Sequence, residues 1–258
     1  MWPQTACLHE QEYPMTNHVL LDNVTHKHLK INRAWRPNQG YDVNLARVFP
    51  VELGALQAEY PLFFIRNVDS GHFETVALLG FEDSENLYLG DDQWLARAVP
   101  MTIERQPFLI GFQDQAGGPD QTPVIHVDMD HPSISESEGT PVFLPHGGEG
   151  PLLEHINTLL ASIHAGHQAS QDFSRLLVGL DLIESLDLEV EFNDGSRHAL
   201  KGLYTINEER LRALNADSLA TLHEKGYLQH IYMLLASLPK LAVLIERKNR
   251  LIEAAGSA

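Results

Sequence analysis

The chain has 258 residues, with 35 acidic against 18 basic side chains and a formal net charge of −17. A chain this acidic repels phosphate backbones and anionic lipid, which disfavours nucleic acid and membrane surfaces as partners and leaves cations, basic peptides and other proteins. Its single cysteine, Cys7, excludes an internal disulfide framework and a thiolate metal site.

No basic stretch followed by an apolar core opens the sequence, so the cytoplasm is the expected compartment, with the cell surface reached by non-classical export as the alternative. Residues 1–14 read as a disordered extension, and Met15 is a second candidate start. From 15 to 130 the pattern is mainly that of β-strands. Short strands are expected over 19–21 and 29–31, then a short helix over 49–59 with Pro50 in its first turn. Leu62 to Ile65 is too apolar to be exposed on either face, and 73–81 should pair with it through the Asp69-Ser70-Gly71 turn. Further strands are expected over 87–89, 108–112 and 123–128, with an exposed loop around Gly117-Gly118-Pro119.

Residues 131–150 are rich in Pro, Gly, Ser and Glu and read as a connecting loop. The clearest amphipathic helix follows, over 152–180. Leu152, Leu153, Ile156, Leu159, Leu160 and Ile163 form one stripe, which Phe173, Leu176, Leu177 and Leu180 resume. Gly166 and Ser170 leave shallow places on it where another element can pack closely. A hairpin comes next, with Leu186, Leu188, Val190 and Phe192 alternating with acidic residues. A three-residue Asn193-Asp194-Gly195 loop sets Glu191 opposite Arg197, Leu188 opposite Leu200 and Asp187 opposite Lys201. That register matches charge with charge and apolar with apolar, which a two-residue loop does not.

The last part is helical. Thr205 and Glu208 have capping-box spacing with Asn207 as the alternative cap, and Asn215 or Asp217 caps a second helix. Residues 228–245 are apolar on more than one face, as a helix buried on several sides would be, with Pro239 bending or restarting it and Ser237 as a new cap. Gln229, His230, Pro239 and Lys240 interrupt the run, which disfavours a membrane span. Strands before the long helix and helices after it make the expected fold α+β. The expected organisation is thus an extension (1–14), a β-rich half (15–130), a connection (131–150) and a helix-hairpin-helix half (151–252), the two halves forming one compact domain.

The run Gly202-Leu203-Tyr204-Thr205-Ile206-Asn207-Glu208-Glu209-Arg210-Leu211, then Leu222-His223-Glu224-Lys225-Gly226 and Tyr232 onward, resembles the SapC-like family of bacterial proteins. Val48-Phe49-Pro50-Val51-Glu52, Glu59-Tyr60-Pro61-Leu62-Phe63-Phe64, Asp128-Met129-Asp130 and Ser137-Glu138-Gly139 carry the same resemblance. The resemblance implies an accessory or structural protein tied to a bacterial surface layer or cell envelope. Such a protein would act through protein contacts, self-association among them, without inserting in a membrane. It brings no catalytic residues with it, and no cofactor is expected.

The alternative reading is a metal-dependent enzyme. His126 and Asp128 lie two apart on a strand and so share a face, and a His-x-Asp pair with a distant histidine is the ligand set of non-haem iron oxygenases. His164, His167 and His198 are the candidate third ligands. Glu82-Asp83-Ser84-Glu85, Asp91-Asp92 and Asp128-Met129-Asp130 are oxygen-rich clusters that could hold calcium. His146-Gly147-Gly148 resembles an esterase oxyanion loop, but no Gly-x-Ser-x-Gly elbow accompanies it.

Overall fold

A computed structural model describes residues 17–114 and 121–256. The extension expected over residues 1–14, Cys7 included, and the Gly117-Gly118-Pro119 stretch lie outside the described residues. The architecture is α+β, strand-rich before a long helix and helical at its end. The strands of the first half are β1 (His18–Leu20), β2 (Lys30–Ile31), β3 (Leu45–Arg47), β4 (Leu62–Arg66), β5 (Phe73–Leu78), β6 (Phe108–Asp114), β7 (Gln121–Asp128), β8 (Ile134–Ser135) and β9 (Thr140–Pro141). Two short helices, α1 (Leu53–Leu56) and α2 (Met101–Glu104), lie among them. The second half holds α3 (Pro151–Gly179), β10 (Ile183–Glu191), β11 (Arg197–Ile206), α4 (Glu208–Arg212), α5 (Ala216–Glu224), α6 (Tyr227–Ser237) and α7 (Lys240–Gly256).

Three antiparallel sheets result, in the orders β10-β11-β4-β5-β3, β1-β7-β6 and β8-β2-β9. β4 is apolar because it is central. Phe63 and Phe64 are consecutive, point to opposite faces and are both buried, so the large sheet is covered on both sides. Its pairing with β5 runs from Leu62 opposite Ala77 to Arg66 opposite Phe73, and the Asn67 side chain closes the turn by accepting from the amides of Asp69 and Ser70.

Residues 87–89 and 131–150 depart from the expected pattern. Residues 87–89 form no strand; Leu89 makes one isolated bridge to Trp94. Leu87 and Tyr88 are apolar because they are buried, and the Asn86 side chain, bonded to Tyr41 O and Tyr88 N, holds the run in a loop. The connection 131–150 contributes β8 and β9, which flank β2, and buries Val142 and Phe143.

The hairpin β10–β11 has the expected loop register at its tip, with Glu191 opposite Arg197 and Leu188 opposite Leu200. The expected Asp187–Lys201 pair does not form. Gly202, at φ +79°, opens a bulge, and beyond it Leu186 faces Leu203 and Ile183 faces Ile206. An unbroken register would have set Leu186 against Gly202. The bulge restores apolar pairing for Leu203 and Ile206, both buried.

Helix α3 carries the predicted stripe, and its two ends serve different clusters. Leu153, Ile156, Leu159, Leu160 and Ile163 pack with Phe49, Phe108, Val127 and Val142. Phe173 and Leu177 pack with the large sheet and the C-terminal helices. Between them Gly166 meets the Phe49 ring, and a Cβ there would lie 2.7 Å from it. This is the close approach that the small residue allowed for.

Asn207 caps α4 and Asn215 caps α5, each accepting from the amide three residues on. The helix breaks at Pro239, between α6 and α7. Ser237 does not cap α7. Its fully buried Oγ donates to Leu234 O (2.6 Å) and accepts from Leu62 N (3.0 Å), which ties the start of β4 to α6. Ser237→Ala would strand the Leu62 amide, and we expect a loss of about 1–3 kcal/mol. Urea unfolding checks this, and an unchanged midpoint would mean that the amide is satisfied otherwise.

Candidate functional site

The register of β7 decides the fate of the His126–Asp128 pair. His126 stands opposite Leu20 on one side and Leu109 on the other, and Asp128 stands opposite His18. Cross-strand partners share a face, so His126, Asp128, His18 and Leu20 lie together, with the His126 ring against the Gly111 backbone. The other face carries Phe108 and Val127, which pack on α3. His164 lies on that opposite side, 5.5 Å from the Phe112 ring, and His167 rests edge-on against Phe49. The sheet therefore stands between the pair and both helical histidines. His198 is elsewhere again, beside Phe192 with its Nε2 3.4 Å from Glu82. Among the described residues no three of His, Cys, Asp and Glu come together as a metal group. His18, which the sequence reasoning passed over, is the histidine placed opposite Asp128; only the long-range pairing of β1 with β7 could have shown it.

The acidic clusters are used internally. Lys248 of α7 donates to Glu82 (2.7 Å) and Glu85 (2.6 Å), and Glu85 also accepts from Phe81 N. Next to it Arg247 lies 4.6 Å over the Tyr88 ring and donates to Leu95 O. The lysine thus occupies the place that the calcium reading gave to a cation. Asp92 pairs with Arg36, and Asp128 accepts from Asp130 N. His146 belongs to a surface turn closed by Gly147 N donating to Leu144 O.

A buried polar group that the sequence did not announce surrounds His131. Its Nδ1 accepts from Ser133 N (3.1 Å) and meets Ser133 Oγ at 2.8 Å, while Nε2 and the Tyr41 hydroxyl have no hydrogen-bond partner. Burial lowers the His131 pKa to about 4, against the pull of Asp128 and with that of Arg33. Tyr41 is fully buried and Ser133 nearly so. This is a cemented joint between loops, with Arg33 bonded to Glu104 O and Gln106 O and lying 5.1 Å over Trp35.

What stays open is the outer side of the C-terminal helices. Ile231, Leu234 and Leu244 face inward and are buried. Leu235 and Leu238 are half-buried against the core. Tyr232, Val243 and Leu251 are 56%, 40% and 57% exposed. Ala236 and Pro239 are exposed as well, so exposed apolar residues lie on both sides of the break between α6 and α7. By length and composition, Tyr227–Gly256 is apolar enough to cross a membrane, and 22% of its most apolar window is buried.

The SapC family model matches residues 21–244. No curated protein and no solved structure matches the chain.

Proposed function

Since this chain belongs to the SapC family, we propose that it is a non-catalytic accessory or structural protein of the bacterial cell envelope or surface layer, working through protein–protein contacts. The observation that supports this reading is the group of exposed apolar residues on α6 and α7, Tyr232, Val243 and Leu251. Its occupant is a partner protein with a basic rim around an apolar strip. The net charge of −17 opposes a second copy and an anionic bilayer and favours a cationic partner. Arg247 and Lys248 anchor α7 to the body of the protein, which supports docking rather than insertion.

The test compares wild type with the double variant Tyr232→Asp and Val243→Asp, both at exposed positions, so folding is expected to be kept. A purified basic envelope protein, first retained from an envelope extract, should bind wild type, bind less at high salt, and lose at least tenfold in affinity for the variant. Wild-type dimerisation abolished by the variant would assign the face to a second copy. Binding to zwitterionic vesicles would assign it to lipid. Either result overturns the proposal.

A further inference from the structure

Strand β10 has 9 residues and lies at the end of the large sheet, paired with β11 on one side only. Its backbone groups alternate between the two sides. Leu182 O accepts from Asn207 N and Phe192 N donates to Ser196 O, both at 2.9 Å, so the even-numbered residues turn their amides and carbonyls to β11. The backbone groups of Ser185, Asp187, Glu189 and Glu191 point away from the sheet and meet no partner among the described residues. Such a row is a template for another strand, and natural edges are commonly blunted by proline, lysine or a bulge. β10 contains no proline and no lysine. The bulge at Gly202 sits in the inner strand β11 and leaves the edge itself regular.

The side chains of the edge sort by face. Leu186, Leu188 and Val190 turn to the core, the first two only half-buried. Asp187, Glu189 and Glu191 alternate with them and are exposed. Arg197 of β11 answers Glu191 at 2.7 Å, but Glu189 faces Ala199, and the bulge has taken Lys201 out of register with Asp187. Two carboxylates are thus left without a charge opposite them. Two copies of this edge brought together would set acid against acid, which opposes self-pairing.

We propose that the open edge of β10 takes up an extended segment of a partner protein as a further strand of the large sheet, and selects a segment that alternates basic with apolar residues. Backbone bonds to the four odd-numbered residues hold it. Lysine or arginine opposite Asp187 and Glu189 gives the selectivity, and the apolar residues continue the face of Leu186 and Leu188. This goes beyond the docking reading and uses a different part of the surface.

A short end-capped peptide of alternating lysine and valine, titrated into the full chain, tests it, read residue by residue from amide hydrogen exchange. Binding should saturate and slow exchange at Ser185, Asp187, Glu189 and Glu191. The same peptide N-methylated at the amides that face the edge keeps its charge and should not bind. Asp187→Lys with Glu189→Lys, both at exposed positions, should raise the dissociation constant about tenfold, as two attractive pairs become repulsive. A glutamate–valine peptide should prefer that variant to wild type. Equal binding of the N-methylated peptide would reduce the contact to charge attraction and overturn the added strand. Unchanged exchange at the four amides, or loss of binding in the Tyr232→Asp and Val243→Asp double variant, would overturn the site.

Discussion

Phe173→Ala is expected to lower the unfolding free energy by about 3–5 kcal/mol. The ring is 1% exposed and meets three aromatic rings on two elements: Phe64 of β4 at 6.2 Å, and Tyr227 and His230 of α6 at 5.1 and 5.7 Å. Truncation removes a large apolar surface and leaves a cavity among backbones that are pinned on every side, so little relaxation is available. A domain is stable by only about 5–15 kcal/mol, and one such loss takes much of that. Urea denaturation followed by circular dichroism gives the number. A loss below 1 kcal/mol would show that α6 closes over the gap.

A second large effect should appear when Glu52 is neutralised. Its carboxylate accepts from Phe49 N and Met101 N, both at 2.9 Å, yet burial outweighs those bonds and raises its pKa to about 7, with Glu104 pushing the same way. An acid with a raised folded pKa is stabilising below its unfolded pKa of 4.5, and this is lost as pH rises through 7. Between pH 8 and 5 that amounts to about 2–3 kcal/mol. His131 has the opposite sign. Held neutral in the fold, with its pKa lowered to about 4, it gives stability that is lost as pH falls from 6.5. His167 and His230, lowered mainly by burial, act with it. In wild type Glu52 opposes the histidines, so the fall in stability between pH 8 and 5 is expected to be shallow. In Glu52→Gln the histidine side stands alone, and stability should fall steeply below pH 6.5. Parallel profiles for the two proteins would mean that Glu52 is ionised across the range.

Local chemistry was well written in the sequence. The stripe of α3 follows from spacing alone, and so do the Asn193-Asp194-Gly195 loop and the caps at Asn207 and Asn215. β3 was missed because Leu45-Ala46-Arg47 is short, lacks β-branched residues and owes its pairing to β5 alone. The bulge at Gly202 was missed because it corrects a mismatch created several residues away. Spacing places His126 and Asp128 on one face but cannot say which side of the sheet α3 will cover, and so cannot place the helical histidines relative to the pair. The acidic run at Glu82 looked like a cation site, and it is one. Its cation is Lys248, more than 160 positions later in the chain.

Helix α3 also sets the order in which the protein can be finished as it leaves the ribosome. At 29 residues and ~1.5 Å each, it reaches ~43 Å across both clusters. The strands of the first half emerge before it and cannot bury Phe108 or Val127 until Leu153 to Ile163 have followed. The other cluster needs Leu244 as well, near the end of the chain. The first cluster can therefore close once residues up to Ile163 have emerged, whereas the large sheet keeps an open apolar face until the C-terminal helices follow. Chaperone demand should be concentrated there, and it should end abruptly when the last helix is released.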